Sequence, residues 1–267
     1  MPYLGRTLRS CRSEQLCLTE LQYGPHFKSR PHSHEHAFCY LVLEGECAQT
    51  YADRTRTCHS SGMAFHPPGS THSDHWPGSG GRKFIIDFSA RWMDRIRECS
   101  INLDRPVEFR GGVPVWLAAH LYRELRAPDH ISPLAIEGLA LELSAQFARQ
   151  TTPKQTGRRP PWLDRVVDLI ESCFREPLTL EQMAREGGVH KVHLVTAFRQ
   201  HLQCTPFDFL RRRRVQFASG KLVNSQASRL DIALEAGFTD QSHFCKVFKS
   251  VTGMTPTQYQ QIFARRH

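Results

Sequence analysis

The stretch Ile232–Tyr259 reads IALEAGFTDQSHFCKVFKSVTGMTPTQY. An apolar helix carrying Ile232, Ala233 and Ala236 runs into Gly237-Phe238. A second helix opens at Asp240, a residue type that caps helix N-termini, and places Phe244, Val247 and Phe248 at three- and four-residue spacing. Helix, tight glycine turn, helix is the helix-turn-helix pattern, whose second helix enters the DNA major groove. The other face of that helix shows Gln241, Ser242, His243, Lys246 and Lys249, groups suited to base edges and phosphates. Gly253, Thr255 and Pro256 stop it and start another helix over 257–263.

The pattern occurs a second time upstream. Ala184 matches Ala233 and Gly188 matches Gly237 at an offset of 49 residues. Past the turn the offset becomes 50: His193 pairs with His243, Leu194 with Phe244, Phe198 with Phe248, Arg199 with Lys249, Thr205 with Thr255, Pro206 with Pro256 and Phe209 with Tyr259. The second unit therefore has one extra residue in its turn. Around the first unit, Trp162, Val166, Leu169, Ile170 and Cys173 line one face of a helix over 162–174. Thr179 and Gln182 form a capping box for the next helix, and a further one runs from about 191 to 201. A long helix over 207–222 joins the units. Gln203 stands where the second unit has Gly253, and Gly220 sits inside the joining helix. Each costs about 1 kcal/mol against its best alternative, which predicts a softer first unit and joining helix.

Ile232, Ala233, Gly237, Phe238, Ser242, Phe244, Phe248, Lys249, Gly253, Thr255, Pro256 and Tyr259 closely resemble the signature of AraC/XylS-type transcription regulators. The resemblance implies two recognition helices per chain, set in successive major-groove segments about 34 Å apart. It implies base contacts from Val192, Val195 and Thr196 in the first helix, with Arg199 near phosphate. In the second it implies Ser242, His243 and Lys246, with Gln241 beside them. Lys191, His193, Asp240 and Lys249 complete the candidate DNA-binding set. Valines can read only thymine methyls, so the first unit is expected to discriminate weakly. Phe198, Phe244 and Phe248 read as core. Of the run Arg211–Arg214, at most two residues can face DNA, because one helical turn spreads them around the axis.

Composition agrees with a two-domain chain. The 267 residues are 40% apolar and 23% charged, which is ordinary for globular proteins. Residues 158–267 hold 17 Lys+Arg against 10 Asp+Glu; residues 1–157 hold 18 against 16. A basic half beside a nearly neutral half suggests a polyanion-binding part and a part that does something else. Nine scattered cysteines without a Cys-x-x-Cys argue for reduced thiols in a cytoplasm. No run of 18 apolar residues exists and no secretory signal is read at the N-terminus, so neither a membrane nor export is expected.

Residues 1–112 read as short strands at Cys17–Tyr23, Phe38–Leu43, Ala48–Tyr51, Gly62–His66 and Lys83–Phe88, separated by Gly-, Pro- and Ser-rich breaks and without helices. That predicts a small barrel or sandwich. Pro31-His32-Ser33-His34 and Gly62…Pro67-Pro68-Gly69-Ser70-Thr71-His72 resemble the two cupin motifs, and such modules form the sensor half of many AraC-type regulators. His32 and His34 share a strand face, and His72 converges from the second motif, a set suited to a divalent transition metal. The acidic ligand that metal-binding cupins add has no counterpart, since Phe38 and Cys39 stand there. The alternative is an effector pocket inside the barrel, lined by His32, His34, Phe38, Tyr40, Phe65, His72 and Trp76. For each aromatic group, plain core packing is a further reading.

Two helices over 113–126 and 133–149 follow, the second with Ile136, Leu139, Ala140, Leu143 and Phe147 in one stripe. The resemblance implies that they cover the barrel and form a homodimer contact. TTPKQTGRRPP, residues 151–161, has no apolar residue and reads as a linker. The expected domains are thus 1–112, a cupin-like sensor; 113–150, a helical segment; 151–161, a linker; and 162–267, a double helix-turn-helix domain.

The fold class expected is α+β multidomain, a cupin-like β-barrel or sandwich with trailing helices followed by an all-α double helix-turn-helix domain. The function expected is that of a non-enzymatic bacterial regulator. Promoter DNA and a small-molecule effector are its partners, joined by RNA polymerase if it activates. Effector binding shifts the population able to bind DNA. A metal-dependent cupin enzyme with a DNA-binding tail and a non-specific DNA-coating protein are the alternatives from other classes.

Overall fold

The computed structural model describes residues 4–51, 54–99, 103–151 and 159–263. The chain divides into two compact units, Met1–Pro153 with Gln260–His267, and Lys154–Tyr259.

The first unit is built on nine strands: β1 (Arg6–Arg12), β2 (Leu16–Tyr23), β3 (Ala37–Glu44), β4 (Glu46–Tyr51), β5 (Arg54–His59), β6 (Gly62–His66), β7 (His72–His75), β8 (Gly81–Phe88) and β9 (Val107–Arg110). They form an antiparallel six-stranded sheet in the order β1-β2-β8-β3-β6-β9 and a three-stranded sheet in the order β5-β4-β7. One face of the large sheet meets the small one around Leu21, Tyr23, Phe38, Tyr40, Val42, Cys47, Trp76 and Ile85. Its other face lies under three helices: α1 (Ala90–Glu98), α2 (Val113–Arg126) and α3 (Ser132–Thr151). Phe65 and Phe109 stack on Phe147 there, and Phe84 on Tyr122. Burial on both faces explains why β3 is an unbroken apolar run, AFCYLVL, rather than an alternating one. The outermost strand, β1, is exposed along its length, carries Arg6, Arg9 and Arg12, and breaks register between Thr7 and Arg9.

Four of the strands differ from the sequence reading by absence. β1, β5, β7 and β9 lack the apolar runs that mark β2, β3 and β8, since each is an edge or belongs to the small sheet. The segment 1–112 was expected to hold no helix. α1 corrects that: Trp92, Met93 and Ile96 recur at helical spacing, and the Ser89 side chain accepts from the Trp92 N–H at 3.2 Å.

Gly45 and Gly81 meet beside the rim of the barrel. A Cβ on Gly81 would lie 2.1 Å from the Trp76 ring, and one on Gly45 would lie 2.4 Å from the Gly80 carbonyl. The indole of Trp76 is thus sealed in by backbone, stacked on Tyr23 at 5.0 Å.

Among the described residues the second unit holds helices alone: α4 (Pro161–Cys173), α5 (Leu180–Gly187), α6 (Lys191–Leu202), α7 (Pro206–Asn224), α8 (Arg229–Glu235) and α9 (Gln241–Thr252), with α10 (Pro256–Phe263) the last described element. Leu163, Val166, Ile170, Met183, Leu194 and Phe198 form the core of its first half. The linker read at 151–161 falls mostly on 152–158, outside the described residues.

The two repeats are stabilised unequally. Asp240 caps α9, its carboxylate accepting the His243 N–H at 2.7 Å. The equivalent cap of α6 is His190, whose Nδ1 accepts from Val192 at 3.4 Å. α9 stops at Gly253 with φ +75°, whereas α6 stops at Gln203 with φ +55°, a left-handed conformation that glycine adopts without strain. α7 runs unbroken through Gly220, and nothing lies within 4 Å of a Cβ placed there.

Gln203→Gly and Gly220→Ala will each raise the stability of the helical unit by roughly 0.5–1 kcal/mol, measured by urea unfolding. Hydrogen exchange will show α6 less protected than α9, and equal protection in the two helices would contradict this. In the first unit, the buried Lys83 ammonium donates to the Asp74 carboxylate at 2.6 Å, so Lys83→Met alone will destabilise by about 3–5 kcal/mol by stranding that carboxylate. Adding Asp74→Leu will recover most of that loss in the same unfolding measurement.

Candidate functional site

The helical unit presents two polar faces. On α6, Lys191, Val192, His193, Thr196 and Arg199 are exposed, while Leu194, Ala197 and Phe198 are buried. Val192 stands 67% exposed, an apolar side chain held in water on a helix surface. Val195 is half-buried, and the Thr196 hydroxyl donates to the Val192 carbonyl at 2.9 Å. Lys191 pairs with Glu181 across the turn, and His193 packs 5.3 Å from Trp162.

On α9, Gln241, Ser242, His243, Lys246 and Lys249 are exposed, and Phe244 and Phe248 are fully buried. His243 is oriented twice. Its Nδ1 lies 3.3 Å from the Thr239 hydroxyl, and its ring meets Phe238 edge-on at 5.5 Å. Asp240 differs from the rest of the expected contact set: its carboxylate is committed to the helix N-terminus and to Thr239. Those hydrogen bonds, led by the His243 N–H, hold its pKa below the usual carboxylate range. It positions α9 rather than offering a donor to phosphate. Gln200 and Ser250 escaped the sequence reading. Both are exposed one turn beyond Thr196 and Lys246, so i, i+4 spacing would have found them.

The arginine run sorts itself by geometry. Arg214 donates to the carbonyls of Phe174 and Glu176 at 2.7 and 2.8 Å and lies 5.9 Å from the Phe238 ring. Arg213 pairs with Glu171 and Arg211 with Asp208, while Arg212 stays exposed. The turn of the second repeat is also tightly seated. A Cβ on Gly237, at φ +84°, would lie 2.5 Å from the Arg175 carbonyl, whereas Gly188, at φ +65°, faces open space.

In the barrel, the sequence-predicted residues divide. Phe38, Tyr40, His72 and Trp76 face inward, whereas Phe65 does not: it lies on the opposite face of the large sheet against Phe88 and Phe147. Strand parity is the reason, since Cys39 pairs with Phe65 and Phe38 with His66. Inside, Lys83 donates to Asp74 at 2.6 Å, Gln49 donates to Asp74 at 2.9 Å, and Tyr40 and His66 both reach Gln49 Oε1 at 3.0 and 2.9 Å. The Lys83 ammonium also lies 4.3 Å from the Tyr40 ring. Burial would lower the Lys83 pKa, but Asp74 reverses the effect and raises it. Burial would raise Asp74, but Lys83 holds it down. Burial, with His72 and Lys83 nearby, lowers His66 to about 3, so its ring is neutral. Of these five, Tyr40 was expected to line the interior, whereas Gln49, His66, Asp74 and Lys83 were not predicted. The available signal was Lys83 two positions from Ile85, on the inward parity of an apolar strand.

A cavity of about 10 Å³ lies among His32, Phe38, Tyr40, His72 and Asp74. Two larger clefts lie outside the barrel. One, of about 660 Å³, is bordered by Thr19, His34, Glu35 and Asp87; the other, of about 770 Å³, lies between the β1–β2 hairpin and the α2–α3 connection. His32, His34 and His72 gather at the barrel rim, each with a ring nitrogen within 4.8 Å of the others'. His34 and His72 are buried, and burial lowers the His72 pKa.

Comparison with known proteins adds family information. Residues 16–144 match the model of the AraC-like ligand binding domain, and residues 183–262 match a helix-turn-helix domain model. An uncharacterized HTH-type transcriptional regulator of Haemophilus influenzae is 39% identical over 82 residues, 31% of this chain and 28% of that one. The thermoregulatory protein LcrF of Yersinia pestis is 31% identical over 136 residues, 49% of each chain. The HTH-type transcriptional activator RhaR of Escherichia coli is 31% identical over 104 residues, 39% of this chain and 37% of that one. The chain thus spans between about a quarter and a half of the length of these curated relatives. No helix among the described residues is long and apolar enough to cross a membrane.

The seating of the two turns yields a test. Gly237→Ala will lower the melting temperature of the helical unit sharply, since both φ and the Arg175 backbone oppose it. Gly188→Asn will be tolerated, because asparagine accepts a left-handed φ and the site is open. Thermal melts followed by circular dichroism distinguish the two.

Proposed function

Because the chain belongs to the AraC-type family of transcription regulators, we propose that it binds specific promoter DNA through α6 and α9 and adjusts that binding to an effector sensed by the barrel unit. The observation that carries the reading is the pair of repeated helix-turn-helix units with exposed polar faces, Val192, Thr196 and Arg199 on one and Ser242, His243 and Lys246 on the other. Lys249 and Arg199 supply cations for phosphates; Ser242, His243 and Lys246, with Gln241 beside them, supply hydrogen-bonding groups for base edges. The second unit carries most of the discrimination, since Val192 offers only a methyl contact.

The barrel unit acts by linkage. An effector that prefers one state of the chain shifts the population competent for DNA, by no more than its difference in affinity for the two states. In this reading the protein works in the cytoplasm, pairs with a second copy through its helical segment, and meets RNA polymerase when it activates. It does not act as an enzyme.

Footprinting on genomic fragments tests the reading. A specific regulator protects a few sites, each over about two turns of duplex per chain. Equal affinity for every duplex would replace this reading with non-specific coating. Lys249→Ala will weaken binding to all sequences and reduce the magnitude of the salt slope by about 1. His243→Ala will instead cost about 1–3 kcal/mol at the cognate site and relax its sequence preference. Fluorescence anisotropy at several salt concentrations reads both.

A further inference from the structure

Two cysteines of the small sheet face each other. The β4–β5 register pairs Cys47 directly with Cys58, and among the described residues no other two cysteines stand opposite in a strand ladder. Opposed residues of an antiparallel pair lie about 4.5–5.5 Å apart at Cα, with their side chains on one face. A disulfide spans about 4.4–6.8 Å between Cα atoms, so joining this pair needs side-chain rotation and no backbone movement. The shared face is the inner one. Cys47 and Gln49, two apart on β4, are buried, and the residues opposite them, Cys58 and Arg56, are the half-buried positions of an otherwise exposed β5. Cys47 belongs to the interior apolar cluster, and Cys58 packs against it.

The two thiols are not equivalent. Cys47 is fully buried, and burial pushes its pKa up to about 12 against the pull of the Lys83 ammonium beside it. Cys58 is half-buried on the edge strand of the small sheet, where small solutes reach it. Its hydrogen bond has a fixed sense. Gln49 Nε2 donates to Asp74, so Gln49 Oε1 is the acceptor that the Tyr40 hydroxyl meets at 3.0 Å. The single Tyr40 proton is committed there, and the Cys58 S–H therefore donates to the Tyr40 oxygen at 3.2 Å. That bond draws the Cys58 sulfur to the inner face.

We propose that Cys47 and Cys58 form a reversible dithiol–disulfide pair that hydroperoxides oxidise. Cys58 reacts first. Its sulfur attacks one peroxide oxygen, the O–O bond breaks, and the other oxygen leaves as water or an alcohol with the proton that the thiol gives up. Cys58 is then a sulfenic acid. The Cys47 sulfur attacks the Cys58 sulfur, the S–O bond breaks, and the oxygen departs as water with the Cys47 proton. The two thiols lose two electrons in all, and the peroxide gains them. A dithiol reductant reverses the bond by exchange through a mixed disulfide. An accessible cysteine beside a resolving one is the arrangement that redox sensing uses, and in a reducing compartment such a bond is transient. Forming it ties β4 to β5 and removes the S–H that Tyr40 accepts, within the network that joins the two sheets. This chemistry belongs to the barrel unit and does not depend on what the helical unit binds.

The test uses the full chain, reduced with dithiothreitol, desalted and treated with hydrogen peroxide. Free thiols are then alkylated and the chain is digested with trypsin. Cleavage after Arg54 or Arg56 puts Cys47 and Cys58 in separate peptides, so the bond appears as a linked pair lacking two hydrogens. The linked pair is expected in the wild type and disappears on renewed reduction. Cys39 shares the Cys47 peptide but sits opposite Phe65 on the helix-covered face, so Cys39→Ala will retain the link. Cys58→Ser, which keeps a hydroxyl for Tyr40, will hold the melting temperature of the reduced wild type and lose the link. Cys47→Ser will lose it too and will accumulate a dimedone adduct on Cys58. No Cys47–Cys58 link in the wild type at the dose that oxidises the exposed Cys11 and Cys99 would overturn the pair. A link from Cys58 to Cys39 would do the same, and no adduct on Cys58 in Cys47→Ser would overturn the order of attack.

Discussion

A lysine ammonium and an aspartate carboxylate shut inside a β-barrel constrain everything around them. Lys83 comes from the middle of the six-stranded sheet and Asp74 from the three-stranded one, so their 2.6 Å contact spans the two sheets. Either charge alone would be expelled by its desolvation cost. Together they stay, provided that the carboxylate's remaining lone pairs are met: Gln49 donates to Asp74, and Tyr40 and His66 in turn hold the Gln49 Oε1. A one-residue slip of β8 would turn Lys83 into the helix-covered face and Arg82 into the barrel. The pair therefore fixes register.

The helical unit depends on a different cation. Arg214 on α7 fastens the connection between α4 and α5 through two backbone carbonyls and touches Phe238 in the turn of the other repeat. Gly237 packs its missing side chain against that same connection, at Arg175. The two repeats are thus joined by backbone contacts as well as by the helix between them. The first repeat has the weaker local devices, a histidine cap and a left-handed glutamine.

Much of this was legible in the sequence. Repeats with fixed offsets, a capping box at Thr179 and a glycine stop at Gly253 are local signals, and local signals survive translation into structure. The β-strands with apolar runs were equally plain. What escaped was non-local. Lys83 meets Asp74, and Asp74 in turn meets the distant Gln49 of another strand, and no spacing rule links the three. Edge strands such as β1 carry no apolar alternation because they bury so little. The parity of Phe65 was readable from β6 itself, but only once the register against β3 was known. For the rim histidines, the residue types were visible, and the Arg30 and Ser70 carbonyls beside the His32 and His72 rings were not.

The outermost strand of the large sheet has a consequence for how copies of this protein can meet. Strand β1 shows unpaired backbone along one side, which would ordinarily recruit a second β1 and grow a continuous sheet between molecules. Arg6, Arg9 and Arg12 oppose that growth, since antiparallel pairing of two such edges sets guanidinium against guanidinium. The break in register near Thr7 also twists the edge away from a flat template. Crowded chains are therefore kept from zipping into fibrils by this strand, and any orderly self-association is left to other surfaces.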